Sequence, residues 1–151
     1  MRLALTLRLT TFLAVLCRSF SQCVNDIGTI AQRESLVTDT SFPRSYTLCP
    51  NTDFEIGYLD FNNRVTSGQP MLPLQSNMRV QCGDDGSRSN GCRIRGGSVQ
   101  VDGTDYFEFG PRLIKDVVLE GITFFNTSMH SAWLNQPGDI VFRDCEFRVR
   151  N

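Results

Sequence analysis

The chain has 151 residues, 15 Lys and Arg against 16 Asp and Glu, one His and a formal net charge of −1. That balance, with no basic run beyond scattered Arg, argues against nucleic acid or an anionic membrane as a partner. A single His and no CxxC pair argue against a zinc site, and the length is that of one domain with room for a core.

Met1 to Ser21 reads as a secretory signal peptide. Arg2 gives a short basic start, and Leu3 to Cys17 is an apolar stretch broken by Arg8. The unbroken part, Leu9 to Cys17, falls well short of the ~20 apolar residues of a membrane span, so a retained signal-anchor is the weaker reading. Ser19 and Ser21 place small residues where signal peptidase reads, with cleavage before Gln22. The mature chain would carry 12 basic and 16 acidic residues, and the expected location is extracellular. After cleavage no membrane association is expected.

Residues 22–44 carry weak helical character through Ile27, Ile30, Ala31 and Leu36, and are expected to cap a stack of repeats. Short alternating runs follow at Tyr46–Pro50 and Phe54–Tyr58, separated by the turn-like Pro50-Asn51-Thr52-Asp53. Asn62 to Pro73 is a loop. Asn77–Gly83 and Cys92–Gly97 read as strands, with Val99–Val101 after them, and Tyr106 to Pro111 as an aromatic loop or strand start.

Five cysteines survive cleavage, and in an oxidising compartment some should pair. Cys82 and Cys92 bracket a polar loop and are the preferred disulfide; Cys23 with Cys49 is a further option. Cys145 reads as a small core residue.

The last quarter can be laid over itself. A shift of 23 residues places Val117–Phe124 on Ile140–Phe147, with apolar residues meeting at 117/140, 118/141, 119/142, 122/145 and 124/147. Short β-type runs around a Gly or Asp corner at such a period predict stacked solenoid turns sharing one core. Ile94, 25 residues before Leu119, extends the repeat more loosely. The chain stops at Asn151 without an amphipathic cap, which suggests the front end of a longer solenoid and an open C-terminal end prone to self-association.

Leu48–Thr52, Ser76–Asp84, Asn90–Gly97 and the 117–124/140–147 pair together resemble the pectin lyase-like superfamily, especially its secreted members in diatoms and related algae. The resemblance covers residues 45–151 and implies an all-β, right-handed parallel β-helix. It also implies a polysaccharide or an extracellular-matrix component as partner. The superfamily mixes enzymes with adhesins, so the fold does not choose an activity. The preferred reading is a non-catalytic carbohydrate-binding or matrix module. The alternative is the N-terminal part of a polysaccharide lyase or glycoside hydrolase whose catalytic turns lie beyond Asn151.

Polygalacturonases of that superfamily carry Asn-Thr-Asp, Asp-Asp, Gly-His-Gly and Arg-Ile-Lys motifs. Asn51-Thr52-Asp53 and Asp84-Asp85 match the first two, and Arg112-Leu113-Ile114-Lys115 is a distorted echo of the last. Inverting hydrolysis would need two such carboxyl groups about 6.5–9.5 Å apart. Gly-His-Gly is missing, and His130 follows Lys115 rather than preceding it. Asp53, Asp84 and Asp85 are thus candidate catalytic groups set against the plainer reading of turn residues. No cofactor is expected. Lyase-type Ca²⁺ would fall to Asp102, Asp105 and Asp116, with Lys115 or Arg112 as base, at a spacing that matches no calcium loop. Asn126-Thr127-Ser128 is an N-glycosylation sequon, and Trp133 is the aromatic assigned to ligand contact.

Overall fold

A computed structural model describes residues 23–59, 65–66, 69–97, 99–101, 114–127, 132–133 and 138–148. Within them the chain runs through one α-helix and thirteen short strands. The helix α1 (Ile27–Ser35) begins at Asp26, whose side chain accepts the Gly28 N–H at 3.0 Å and satisfies one free donor of the first turn. Ile27, Ile30 and Glu34 recur at helical spacing and are the buried face. Nine residues are too few to hold a helix by propensity, so packing of this face keeps it folded.

The strands follow in circuits. The first circuit has β1 (Arg44–Leu48) and β2 (Asp53–Glu55), then the antiparallel pair β3 (Tyr58–Leu59) and β4 (Val65–Thr66), then β5 (Pro73–Leu74). The second has β6 (Met78–Cys82), a 3-10 turn at Arg88–Asn90, β7 (Cys92–Gly96) and β8 (Val99–Val101). After it come β9 (Ile114–Glu120), β10 (Ile122–Thr127) and β11 (Ala132–Trp133), and last β12 (Gly138–Arg143) and β13 (Glu146–Arg148). Two four-stranded sheets result, β1-β6-β9-β12 and β13-β10-β7-β2, with all pairings parallel, beside a three-stranded sheet β11-β8-β5.

The expected all-β, right-handed parallel β-helix is therefore corrected to an α/β-like fold: two small parallel sheets with a helix at one end. The physical reason is unequal return. In the first sheet successive partners lie 34 residues apart (Arg44 to Met78), then 39 (Val80 to Leu119), then 23 (Val117 to Ile140). The repeat reports the last return alone. There its register holds residue for residue, with Ile140 on Val117, Phe142 on Leu119 and Phe147 on Phe124. The looser extension to Ile94 fails, because Ile94 pairs with Phe124 in the second sheet while Leu119 pairs with Val80 in the first.

Alternation along each strand sends one face inward. Tyr46, Val80 and Leu119 form a buried row in the first sheet, and Phe54, Ile94 and Phe124 in the second. Burying a side chain such as Phe124 contributes roughly 1.5–3 kcal/mol. The corners between the two sheets need left-handed backbone, supplied by Asn51, Gly121 and Asp144 at φ 54°, 71° and 46°. Asn and Asp visit this region at modest cost, whereas other side chains clash there. Disulfides join Cys23 to Cys49 and Cys82 to Cys92. The first ties the segment before α1 to β1, and Val24 reinforces it as a parallel bridge to Leu48.

The segment read as a signal peptide lies outside the described residues. Among those described, no helix is long and apolar enough to cross a membrane.

Candidate functional site

The outward face of the second sheet carries opposite charges in register. Asp53 and Glu55 flank the buried Phe54 on β2, and Arg93 and Arg95 flank the buried Ile94 on β7. Parallel pairing sets Asp53 beside Arg93 and Glu55 beside Arg95. Both pairs close as ion pairs, Arg93 Nε with Asp53 and Arg95 Nη2 with Glu55 Oε1 at 2.8 Å. The Arg93 guanidinium also lies 5.7 Å from the centre of the Phe125 ring, a cation–π distance. These side chains are well exposed, so the pairs orient the groups more than they stabilise the fold.

Where this face meets the start of α1 there is a cleft of about 290 Å³, near the lower end of ligand-cleft sizes. Asn25, Asp26, Asp53, Glu55, Gln69 and Arg95 supply its polar lining. Arg95 brings an unusual feature: its Nε is buried and has no acceptor. A buried N–H without a partner runs against the general rule for protein interiors. The cleft thus presents carboxylates that accept, amides that do both, and a guanidinium that donates.

A second cleft, about 380 Å³, opens beside the first sheet between Arg44, Asn77, Met78, Arg79 and Asp116. Its cations are committed. Arg44 donates to Glu34, to the Phe42 carbonyl and to the Ser76 carbonyl, and Arg79 pairs with the buried Glu120. Glu34 is itself buried and saturated by Arg44 and the Tyr46 hydroxyl. Burial and that carboxylate push the Tyr46 hydroxyl up to about 12. This cluster fastens α1 to β1 and offers no free proton.

The three candidate catalytic carboxylates are not gathered. Asp53 lines the first cleft; Asp84 and Asp85 stand exposed in the turn between β6 and β7 and line neither cleft. Asp85 accepts from the Ser87 N–H at 3.0 Å and from the Asn90 amide at 2.5 Å. Those donors hold its carboxyl below the ordinary carboxylate range, which suits a turn cap and not a proton donor. Asn126 and Trp133 are placed by their backbones in β10 and β11, and their side chains lie outside the described residues. Asp102, Asp105, Arg112 and His130 also lie outside them. Among the described residues no group of three His, Cys, Asp or Glu side chains is placed to hold a metal ion.

Reading the sequence did not find Glu55, Arg95, Gln69, Asn25 or Asp26. A signal for two of them exists in the opposite-sign triplets Asp53-Phe54-Glu55 and Arg93-Ile94-Arg95, each alternating about an apolar centre. Free Cys145 is half-buried; its thiol donates to the Leu119 carbonyl at 3.3 Å, and burial pushes its pKa up.

No family model matches the chain, and neither a curated protein nor a solved structure matches it; nothing in these comparisons identifies a pectin lyase-like protein.

Proposed function

We propose that the protein is an extracellular, non-catalytic carbohydrate-binding module, with a glycan seated in the cleft between β2, Arg95 and the start of α1. The observation that carries this reading is the set of polar groups gathered round one cleft, Asn25, Asp26, Gln69 and Arg95 beside the carboxylates of Asp53 and Glu55. Neighbouring sugar hydroxyls both donate and accept, so one pair of them can bridge a carboxylate and a guanidinium at once. Asp53 and Glu55 are each already engaged by an arginine, an arrangement for orienting a ligand and not for delivering a proton. Two disulfides support an oxidising compartment.

The test is glycan-array screening of the full chain, followed by calorimetry on the best ligand. Arg95→Ala should weaken binding by about tenfold or more, as expected for a lost hydrogen bond from a charged group. Arg148→Ala, on β13 and remote from the cleft, should leave it unchanged. Absence of binding to any glycan, or equal loss in both variants, sinks the reading.

A further inference from the structure

We propose that β12 is a self-association strand: two copies of this chain pair antiparallel, edge to edge, across a two-fold axis through Val141. Among the described residues β12 pairs with β9 alone and forms the edge of the first sheet. The opposite edge, β1, is bridged by Val24 and tethered by the Cys23–Cys49 disulfide. Among the described residues the β12 edge is open and apolar. Val141 is 46% exposed, and Ile140 and Phe142 are only partly buried where Val117 and Leu119, one strand back, are fully buried. An exposed apolar edge of this kind is a template for another strand.

The order of residues names the occupant. Asp139-Ile140-Val141-Phe142-Arg143 is self-complementary: its apolar centre reads alike in either direction and its two ends carry opposite charges. Centred on Val141, an antiparallel copy sets Val141 against itself, Ile140 against Phe142, and Asp139 against Arg143, the last two contacts occurring twice by symmetry. Opposite-charge and apolar pairs directly across two strands are favourable. Other centres spoil the match. Centring on Ile140 sets Asp139 against Val141, and centring on Phe142 sets Val141 against Arg143. A two-fold charge and shape match of this sort serves a second copy of the same strand; an unrelated strand has no need of it. The pairing would join two four-stranded sheets into one of eight and cover Ile140 and Phe142 from both sides.

The experiment uses the purified full chain with Cys17→Ser and Cys145→Ser, so that introduced thiols report alone. In antiparallel strands facing residues stand about 4.5–5.5 Å apart at Cα, within the reach of a disulfide. Val141→Cys should therefore give a covalent dimer on mild oxidation, and Val118→Cys, on the same face one strand inward, should not. Sedimentation velocity should show the mass doubling with concentration. Arg143→Asp should abolish the doubling, and the charge swap Asp139→Arg with Arg143→Asp should restore it, which separates pairing from folding because Arg143 also touches Glu120 at 3.5 Å. A monomer at every concentration overturns the proposal. A dimer in which Val141→Cys does not cross-link, or cross-links no better than Val118→Cys, overturns it as well.

Discussion

Tyr46 donates its hydroxyl to Glu34 Oε1 at 2.5 Å, and so the first strand of one sheet holds the last turn of the helix that covers it. Arg44 Nε completes the arrangement at 2.9 Å on the same carboxylate. A helix of nine residues has little stability of its own, so this buried triad and the Cys23–Cys49 bond decide whether the end of the sheets is covered.

Glu34→Ala should therefore destabilise by about 3 kcal/mol, because Arg44 keeps a largely buried charge with no carboxylate to balance it. Urea unfolding followed by circular dichroism measures this, and a loss under 1 kcal/mol would mean the triad is ornamental. The pH dependence has a definite sign. The Tyr46 proton is held more tightly in the folded state, near 12, than in the unfolded chain. Its contribution is complete below the ordinary tyrosine pKa of about 10 and is lost as the pH rises through about 12. Tyr46→Phe should flatten the denaturation midpoint over that window.

The two disulfides should differ in lability. Cys82 and Cys92 are fully buried, whereas Cys23 and Cys49 are partly exposed. Mild reductant followed by alkylation and mass mapping should label Cys23 and Cys49 first. Losing that bond removes roughly 3 kcal/mol of chain constraint and frees α1. Labelling of Cys82 and Cys92 first would contradict the burial argument.

Two corners that align in the repeat should respond unequally to substitution. Gly121 sits at φ 71°, and a Cβ there would run into the Gly86 carbonyl. Gly121→Ala combines a left-handed backbone with a backbone collision and should cost about 2 kcal/mol or more. Asp144→Gly relaxes a left-handed residue but removes the acceptor of the Arg88 N–H at 2.9 Å, and should fall within about 1 kcal/mol of neutral. Thermal unfolding of both variants checks the contrast.

Cys145 should be a poor nucleophile. Burial raises its pKa and its hydrogen is engaged by backbone carbonyls, so little thiolate forms at neutral pH. Alkylation by iodoacetamide should run slower than for a free thiol in the unfolded chain. A rate equal to the unfolded one would show the site open.

The last return of the chain was legible because Val117–Phe124 and Ile140–Phe147 present the same apolar sequence to the same two sheets. The class of fold was not, since the earlier returns have other lengths and the sequence carries no mark of which strand meets which. Val80 and Ile94 belong to different sheets because the Gly83–Gly91 turn folds the chain through a corner between them. The cleft was hidden for a related reason. Asn25 and Asp26 reach it from before the helix, Gln69 from a loop, and Arg95 from the neighbouring strand. Such distant residues share no motif: the pairing of β2 with β7 brings Glu55 to Arg95, and the Val24–Leu48 bridge with the Cys23–Cys49 bond holds the segment of Asn25 and Asp26.

Both disulfides gather near one another, for the Cys92 Sγ lies 3.5 Å from the Cys49 carbonyl oxygen, while β12 and β13 have no covalent tie. The molecule is stitched at one end and loose at the other. Opening should start at the loose end, giving a gradient of amide hydrogen exchange that slows steadily from β12 back to β1. A second copy seated on β12 would erase that gradient where it is steepest.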